Sequence, residues 1–445
     1  MNRATIMMVA IALGTAGGAW SMRPKNLPQA QFEDTGEVLF STFSDPASAT
    51  SLSVVSWDED QATVARFAVE QKAGLWVIPS HNDYPADGTE RMGKAAASFI
   101  DVKKDVYYGD KVEEHASFGV LDPEGTEGKG DEKGQRITIK DASGTILVDV
   151  IVGKQPEGKQ GVYYVRLPDE KRVYGAKLTL DVSTDFGDWI EKDLLHVQKD
   201  DIVQVVYDPY SVDEKQGKVM GSNPVIAALE PGADGKDAWA AIAPTLSPEG
   251  TELDASKVRQ MVTSAANVKI VGVRPRPEVL TLPALQSKGF FVTPDGRQLF
   301  GNEGQASIIT KGGIVYTLYF GEVTFDSGTA LTAGGPDEGA AVGAEGDEEG
   351  KTANRYMFVD VRYDATLDQA AVTAAPAVEP PVEGEAPPAA PVIDEEAARL
   401  GAEQAAKLRL RFDKWFYVIS DASFKQVHKD RAELFKALAT PEPQG

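Results

Sequence analysis

Two stretches of the chain place lysine after a glycine-bounded loop, the arrangement that cradles phosphate. In Gly153-Lys154-Gln155-Pro156-Glu157-Gly158-Lys159-Gln160 the backbone N–H groups and Lys159 would hold the phosphates. The hydroxyl that such a loop presents to magnesium is replaced by Gln160, and the alternation that follows predicts a strand over 162–167 instead of a helix whose N-terminus could face an anion. Gly346-Asp347-Glu348-Glu349-Gly350-Lys351-Thr352 is one residue short and sits among carboxylates that repel a nucleotide, so no nucleotide is expected. His81, His115, His196 and His428 show no His-x-x-x-His or His-Glu-x-x-His spacing, which disfavours a preformed metal site. Each is read as a surface or helix-end residue. His81-Asn82-Asp83 follows a predicted strand, where a general base could stand, yet no Gly-x-Ser-x-Gly turn supplies a nucleophile.

Carboxylates are abundant enough that some pair must fall at glycosidase spacing by accident. The acidic stretches 122–131 and 234–237 lack the alternating oxygen ligands and terminal glutamate of a calcium loop. No catalytic, cofactor-binding or metal residue is therefore assigned, and no cofactor is expected. The excess of 68 acidic over 45 basic residues, net -23, repels phosphate backbones and argues against nucleic acid. The absence of cysteine excludes disulfides and thiolate chemistry.

The elements that would position any site read as two copies of one unit. Gly74-Leu75-Trp76-Val77, a helical stretch, Phe118-Gly119-Val120-Leu121-Asp122-Pro123-Glu124-Gly125 and Ile146-Leu147-Val148-Asp149-Val150-Ile151-Val152-Gly153 form one series. Trp239, a helical stretch, Gly289-Phe290-Phe291-Val292-Thr293-Pro294-Asp295-Gly296 and Ile314-Val315-Tyr316-Thr317-Leu318-Tyr319-Phe320-Gly321 form the other. Period-two alternation predicts strands over 51–57, 65–70, 75–78, 137–139, 146–152, 162–167, 173–180, 202–207, 268–273, 314–325, 356–363 and 416–419. Helices are expected over 87–102, 185–193, 255–265 and 424–438, and after Asp394, a good N-cap with Glu395 and Glu396 in the first turn. Residues 224–229 read as neither helix nor strand with preference. Trp76, Phe118, Phe290 and Phe291 are read as core. The expected fold class is α+β: two related lobes of helix-covered, mainly antiparallel sheet, preceded by one N-terminal transmembrane helix.

Residues 4–22 are uncharged between Arg3 and Arg23 and long enough, at about 1.5 Å per residue, to cross a bilayer core. Gly17-Gly18-Ala19 also suits a cleavable signal peptide, but Trp20 stands where an interfacial aromatic belongs. The expected divisions are 1–25 as anchor or signal, 26–215 as the first unit, 216–235 as a linker and 236–438 as the second unit. Within the second, 327–353 holds six acids, one lysine and no aromatic, so it reads as a disordered insert in a hairpin. Residues 366–392 read as a Pro/Ala-rich linker, with six prolines in 376–391.

With that repeat, the chain resembles bacterial proteins of the domain-of-unknown-function 4340 family. The resemblance rests on the N-terminal span, Phe118-Gly119-Val120-Leu121-Asp122-Pro123, Val150-Ile151-Val152-Gly153, Val162-Tyr163-Tyr164-Val165, Val173-Tyr174 and the segment 189–195. The stretches 289–296 and 313–321 and Trp415-Phe416-Tyr417-Val418-Ile419-Ser420 carry it into the second half. It implies a membrane-anchored envelope protein without established catalytic residues, of a kind associated with ABC-2-type export or gliding-type assemblies. The expected place is the bacterial inner membrane, single-pass, with the main domain on the periplasmic side. The expected function is a non-enzymatic accessory or scaffold whose partners are the membrane and ABC-2-type transporter or gliding-type subunits. The alternative is an exported hydrolase acting on envelope carbohydrate through an acidic pair.

Overall fold

The computed structural model describes residues 34–59, 62–180, 182–191, 193–231, 236–277, 279, 281–326, 328–333, 353–373 and 392–438. The span expected over 4–22 lies outside them. No helix among the described residues is long and apolar enough to cross a membrane. The chain is α+β, built mostly from large antiparallel sheets, and divides into two compact units: Met1–Arg66 with Met92–Val182, and Phe67–Arg91 with Ser183–Gly445.

In the first unit the sheet runs in the order Ala49–Asp58, Gln135–Asp141, Ile146–Val152, Val162–Arg166, Val173–Lys177, Val106–Gly109. Each neighbouring pair in this order is antiparallel. Alternation sets the buried face: Leu52 lies opposite Ile139, and Ile137 opposite Val150, all almost fully buried. The expected helix over 87–102 is shorter, Thr89–Ala97. Met92, Ala96, Phe99 and Val102 are nonetheless buried as their spacing requires, with Phe99 meeting Phe40 edge-on at 6.1 Å.

In the second unit an eight-stranded sheet runs Asp237–Ala241, Val225–Pro231, Ile202–Asp208, Gln305–Thr310, Gly312–Thr324, Asn354–Asp368, Trp415–Ser420, Ile270–Pro275. The helix Ala255–Ala266 starts at Asp254, whose carboxylate accepts from the N–H groups of Ser256 and Lys257, and buries Val258, Met261 and Val262. The helix Glu395–Phe412 starts at the predicted cap Asp394, which accepts from Ala397 N–H, and packs on the strand Asn354–Asp368.

Several expectations are corrected. Ile202–Asp208, expected in the first lobe, pairs with Gln305–Thr310 and Val225–Pro231 in the second unit, so the division falls at 182/183 and not after 215. Alternation in a sequence says that a strand forms and which face it buries, not which sheet receives it. Residues 218–220 and 225–231, within the expected linker, are strands. The helix expected over 424–438 spans only Asp421–Val427, capped by Ser420. A 3-10 turn, Arg431–Leu434, and the strand Phe435–Ala437 follow, the strand pairing with Thr251–Leu253.

The hairpin flanking the expected insert does form, Tyr316 lying opposite Val361. The insert is ordered at its start, however. The helix Gly328–Ala333 packs against the strand Ile270–Pro275, and Leu331 lies against the core around Phe290 and Phe416. The strand Asn354–Asp368 and the short pair Val372–Thr373 with Val392–Ile393 likewise take up both ends of the expected 366–392 linker. Trp76, Phe118 and Phe291 are half-buried, Phe118 packing against the core around Val120, Ile151 and Val173, whereas Trp239 and Phe290 are buried.

Candidate functional site

Three of the four histidines belong to the packing. His81 is 3% exposed, stacks on Phe186 at 4.4 Å, and has Ser80 Oγ at 2.9 Å from Nδ1, while its Nε2 has no hydrogen-bond partner. Burial, assisted by the positive charge of Arg274, pushes its pKa down to about 4, so it is neutral at physiological pH. His115 is buried with Nε2 at 2.8 Å from the Lys171 carbonyl. His428 is half-buried and stacks on Phe424 at 4.6 Å. His196 alone keeps the expected exposure, 3.0 Å from Glu191. The helix-end reading holds, since His115 opens the helix His115–Phe118 and His428 caps Asp421–Val427, but residue spacing does not report that these rings are packed against the fold. The loop 153–160 leads into the strand Val162–Arg166, as predicted. Lys154 pairs with Asp131 at 2.7 Å, and Lys159 donates to Tyr108 Oη at 3.2 Å. The second glycine-lysine stretch, 346–352, lies outside the described residues. Among the described residues no group of three or more acids and histidines converges as a metal site would.

A glycine-based lock recurs in each unit and places a turn beside a cleft. In the first, Gly119 has φ +68°, Lys154 N–H donates to the Phe118 carbonyl at 3.0 Å, and a Cβ on Gly153 would overlap that carbonyl oxygen. In the second, Gly289 has φ +75°, Glu322 N–H donates to the Lys288 carbonyl at 2.9 Å, and a Cβ on Gly321 would overlap that oxygen. The chain leaving each lock enters the Pro-x-Gly turn noted in the sequence.

The first cleft, about 390 Å³, lies beside the turn 122–125 and is walled by Leu121, His115, Arg166 and the loop 168–171. Arg166 is 8% exposed. Its Nε donates to the Val120 carbonyl at 3.0 Å, and its Nη1 reaches the carbonyls of Leu167, Pro168 and Glu170 at 3.4, 2.9 and 3.1 Å. Burial lowers its pKa, opposed by the charge of Asp122. Asp122 itself is 3.2 Å from Arg136, which also holds Asp149 at 2.8 Å.

The second cleft, about 250 Å³, lies beside the turn 293–296. Half-buried Val292, Leu299 and Tyr319 and buried Leu285, Phe358 and Phe416 make its floor. Arg276, Arg297 and Arg409 stand on its rim with Asp360 and Asp413. The separations are long: Arg276 to Asp413 3.9 Å, Arg409 to Asp413 3.5 Å, Arg409 to Asp360 3.9 Å, and Arg297 to Asp295 3.8 Å. Arg276 also stands 5.9 Å over the Phe358 ring. No hydrogen bond within the described fold ties down any of these guanidinium groups. Sequence reasoning missed this cleft, because its arginines come from a strand end, a turn and a helix end far apart in the chain. Only the turn, through the repeated Pro-x-Gly, gave a signal.

A further group gathers on Asp34. Tyr174 donates its hydroxyl to the carboxylate, with Arg172 at 3.1 Å and Lys104 at 3.3 Å. Burial raises the pKa of Asp34, but hydrogen bonds from Tyr174 and Lys104 outweigh it and the carboxyl ends below its ordinary value. This fastens residue 34 to the first sheet.

Residues 76–288 match the sequence model of a domain of unknown function, DUF4340. That match supports assigning the stretch to the DUF4340 family. No curated protein and no solved structure matches it. The DUF4340 match contains the whole lining of the first cleft but only Arg276 and Leu285 of the second.

Proposed function

We propose that this DUF4340 protein is a non-enzymatic, single-pass envelope protein of the bacterial inner membrane. Residues 4–22 would anchor it, and its sheets would lie on the periplasmic side as an accessory or scaffold of an ABC-2-type transport or gliding-type membrane assembly. The observation that carries this reading is the chemistry of the second cleft. Its two acids each stand within 4 Å of an arginine, so neither faces the cleft unpaired, and its floor is apolar. Such a cleft is suited to recognition rather than to bond cleavage.

The two lobes are read as copies of one unit. In both, the first strand is followed by a helix and a strand that goes to the far edge, and a four-strand antiparallel meander then fills the gap between them. The glycine lock recurs at the same place in that order. Duplication supplies related surfaces on one chain, which suits a protein that bridges partners.

The test is fractionation and crosslinking in native membranes. The chain should resist carbonate extraction and crosslink to subunits of a membrane transport assembly. Hydrolysis of envelope glycan by the purified chain, abolished by an acid-to-amide substitution that leaves folding intact, would replace this reading with the hydrolase.

A further inference from the structure

We propose that the second cleft is a docking site for an acidic peptide segment of a partner protein, with one large apolar side chain on the floor and flanking carboxylates on the arginine rim. Two observations select that occupant. The lining brings three arginines together with two aspartates on a chain of net charge -23, and Asp295, outside the lining, stands 3.8 Å from Arg297. None of the three guanidinium groups is hydrogen-bonded within the described fold, and Arg297, with its side chain 87% exposed, leaves its planar fork open to a carboxylate. The size decides between a side chain and a whole ligand. At about 250 Å³, the cleft falls below the roughly 300–1,000 Å³ typical of sites that enclose a drug-sized molecule. One aromatic or branched aliphatic side chain fits it, set against Phe358, Phe416 and Tyr319. Arginine over an aromatic floor is also the composition of binding hot spots.

This inference deepens the scaffold reading and rests on it in taking the partner to be a protein. It is tested with the purified full-length chain and a short fluorescein-labelled peptide carrying one phenylalanine between glutamates. Two control peptides replace the phenylalanine with alanine or the glutamates with lysines. Fluorescence anisotropy should show saturable binding that weakens as salt rises and that both controls lose. Arg297→Glu, on an exposed turn, should weaken it about tenfold with the unfolding midpoint unchanged, and Arg409→Glu should act in the same direction. Equal binding of the lysine peptide, or unchanged affinity in both arginine variants, would overturn the proposal. So would binding that appears only once residues 374–391 are deleted, because this chain's own glutamate- and proline-bearing segment would then be the occupant. If peptide binding fails while crosslinking to a membrane assembly persists, the scaffold stands and this cleft is not its contact.

Discussion

Each lobe keeps arginine beside a cleft next to its Pro-x-Gly turn, and the two use it in opposite ways. Arg166 is buried with its Nε and Nη1 donating to four backbone carbonyls, so it holds the loop 167–170 and the segment at Val120 in place. Arg276, Arg297 and Arg409 face their cleft with no hydrogen bond within the described fold and only loose ion pairs. An arginine closed by carbonyls is part of the framework, and one left open over an apolar floor is available to a ligand. The same contrast separates the histidines: the buried ring of His115 has the Lys171 carbonyl beside Nε2, whereas His81 has nothing at that atom.

The largest expected effect breaks the framework side. Arg166→Met keeps the apolar stem but takes this donor from the buried Val120 contact and from the part-buried Pro168 and Glu170 carbonyls, and should lower unfolding free energy by about 3–4 kcal/mol in urea. Arg409→Ala should cost less than about 1 kcal/mol, since exposed ion pairs contribute little. Equal costs would erase the distinction between the clefts.

Gly153→Ala and Gly321→Ala ask whether the lobes share their lock. Each added methyl meets a backbone oxygen that cannot move alone, so each should cost about 2–3 kcal/mol by the same measurement. A large loss at one site and none at the other would separate the two motifs.

The histidines give a pH test. His81 has a folded pKa near 4, below the ordinary 6.5 of the unfolded chain. Between those values the unfolded state binds the extra proton, so the stability from the neutral ring is full above about 6.5 and is lost as pH falls toward 4. The loss amounts to at most roughly 3 kcal/mol. His81→Phe should flatten that part of the stability curve. His81→Ala should destabilise the fold outright, contrary to the expectation for a surface residue, because it empties a stack against Phe186.

The smallest expected effect is the sharpest for the open cleft. Arg297→Glu should leave the melting temperature unchanged within error while altering peptide binding. A clear drop in melting temperature would show that Arg297 holds the turn 293–296 and belongs with Arg166.

The strands were legible where alternation is strong, as in 146–152, and so was the cap Asp394, whose carboxylate takes a free N–H group in the first turn of its helix. The repeated glycines were legible as a spacing, though not as the carbonyl contact that requires them. Less legible were the ends of elements. The segment 424–438 has helical composition, yet Phe435–Ala437 found a strand partner in Thr251–Leu253 about 180 residues earlier, and intrinsic propensity is weaker than such a pairing. The start of the acidic insert was misread because composition averages over a segment. Leu331 contributes an apolar contact, and its carbonyl accepts from buried Arg274 at 2.9 Å.

By itself the sequence determined the α+β class, the turns that must be glycine and the exclusion of cysteine chemistry, because these depend on residue type and near neighbours. Only the tertiary structure decided that Ile202–Asp208 joins the second sheet, that His81 is a ring in a stack, and which arginines are closed and which are open. A guanidinium donates to whatever the folded chain brings within about 3 Å, and for Arg166 that includes the carbonyl of Val120, 46 residues away along the chain.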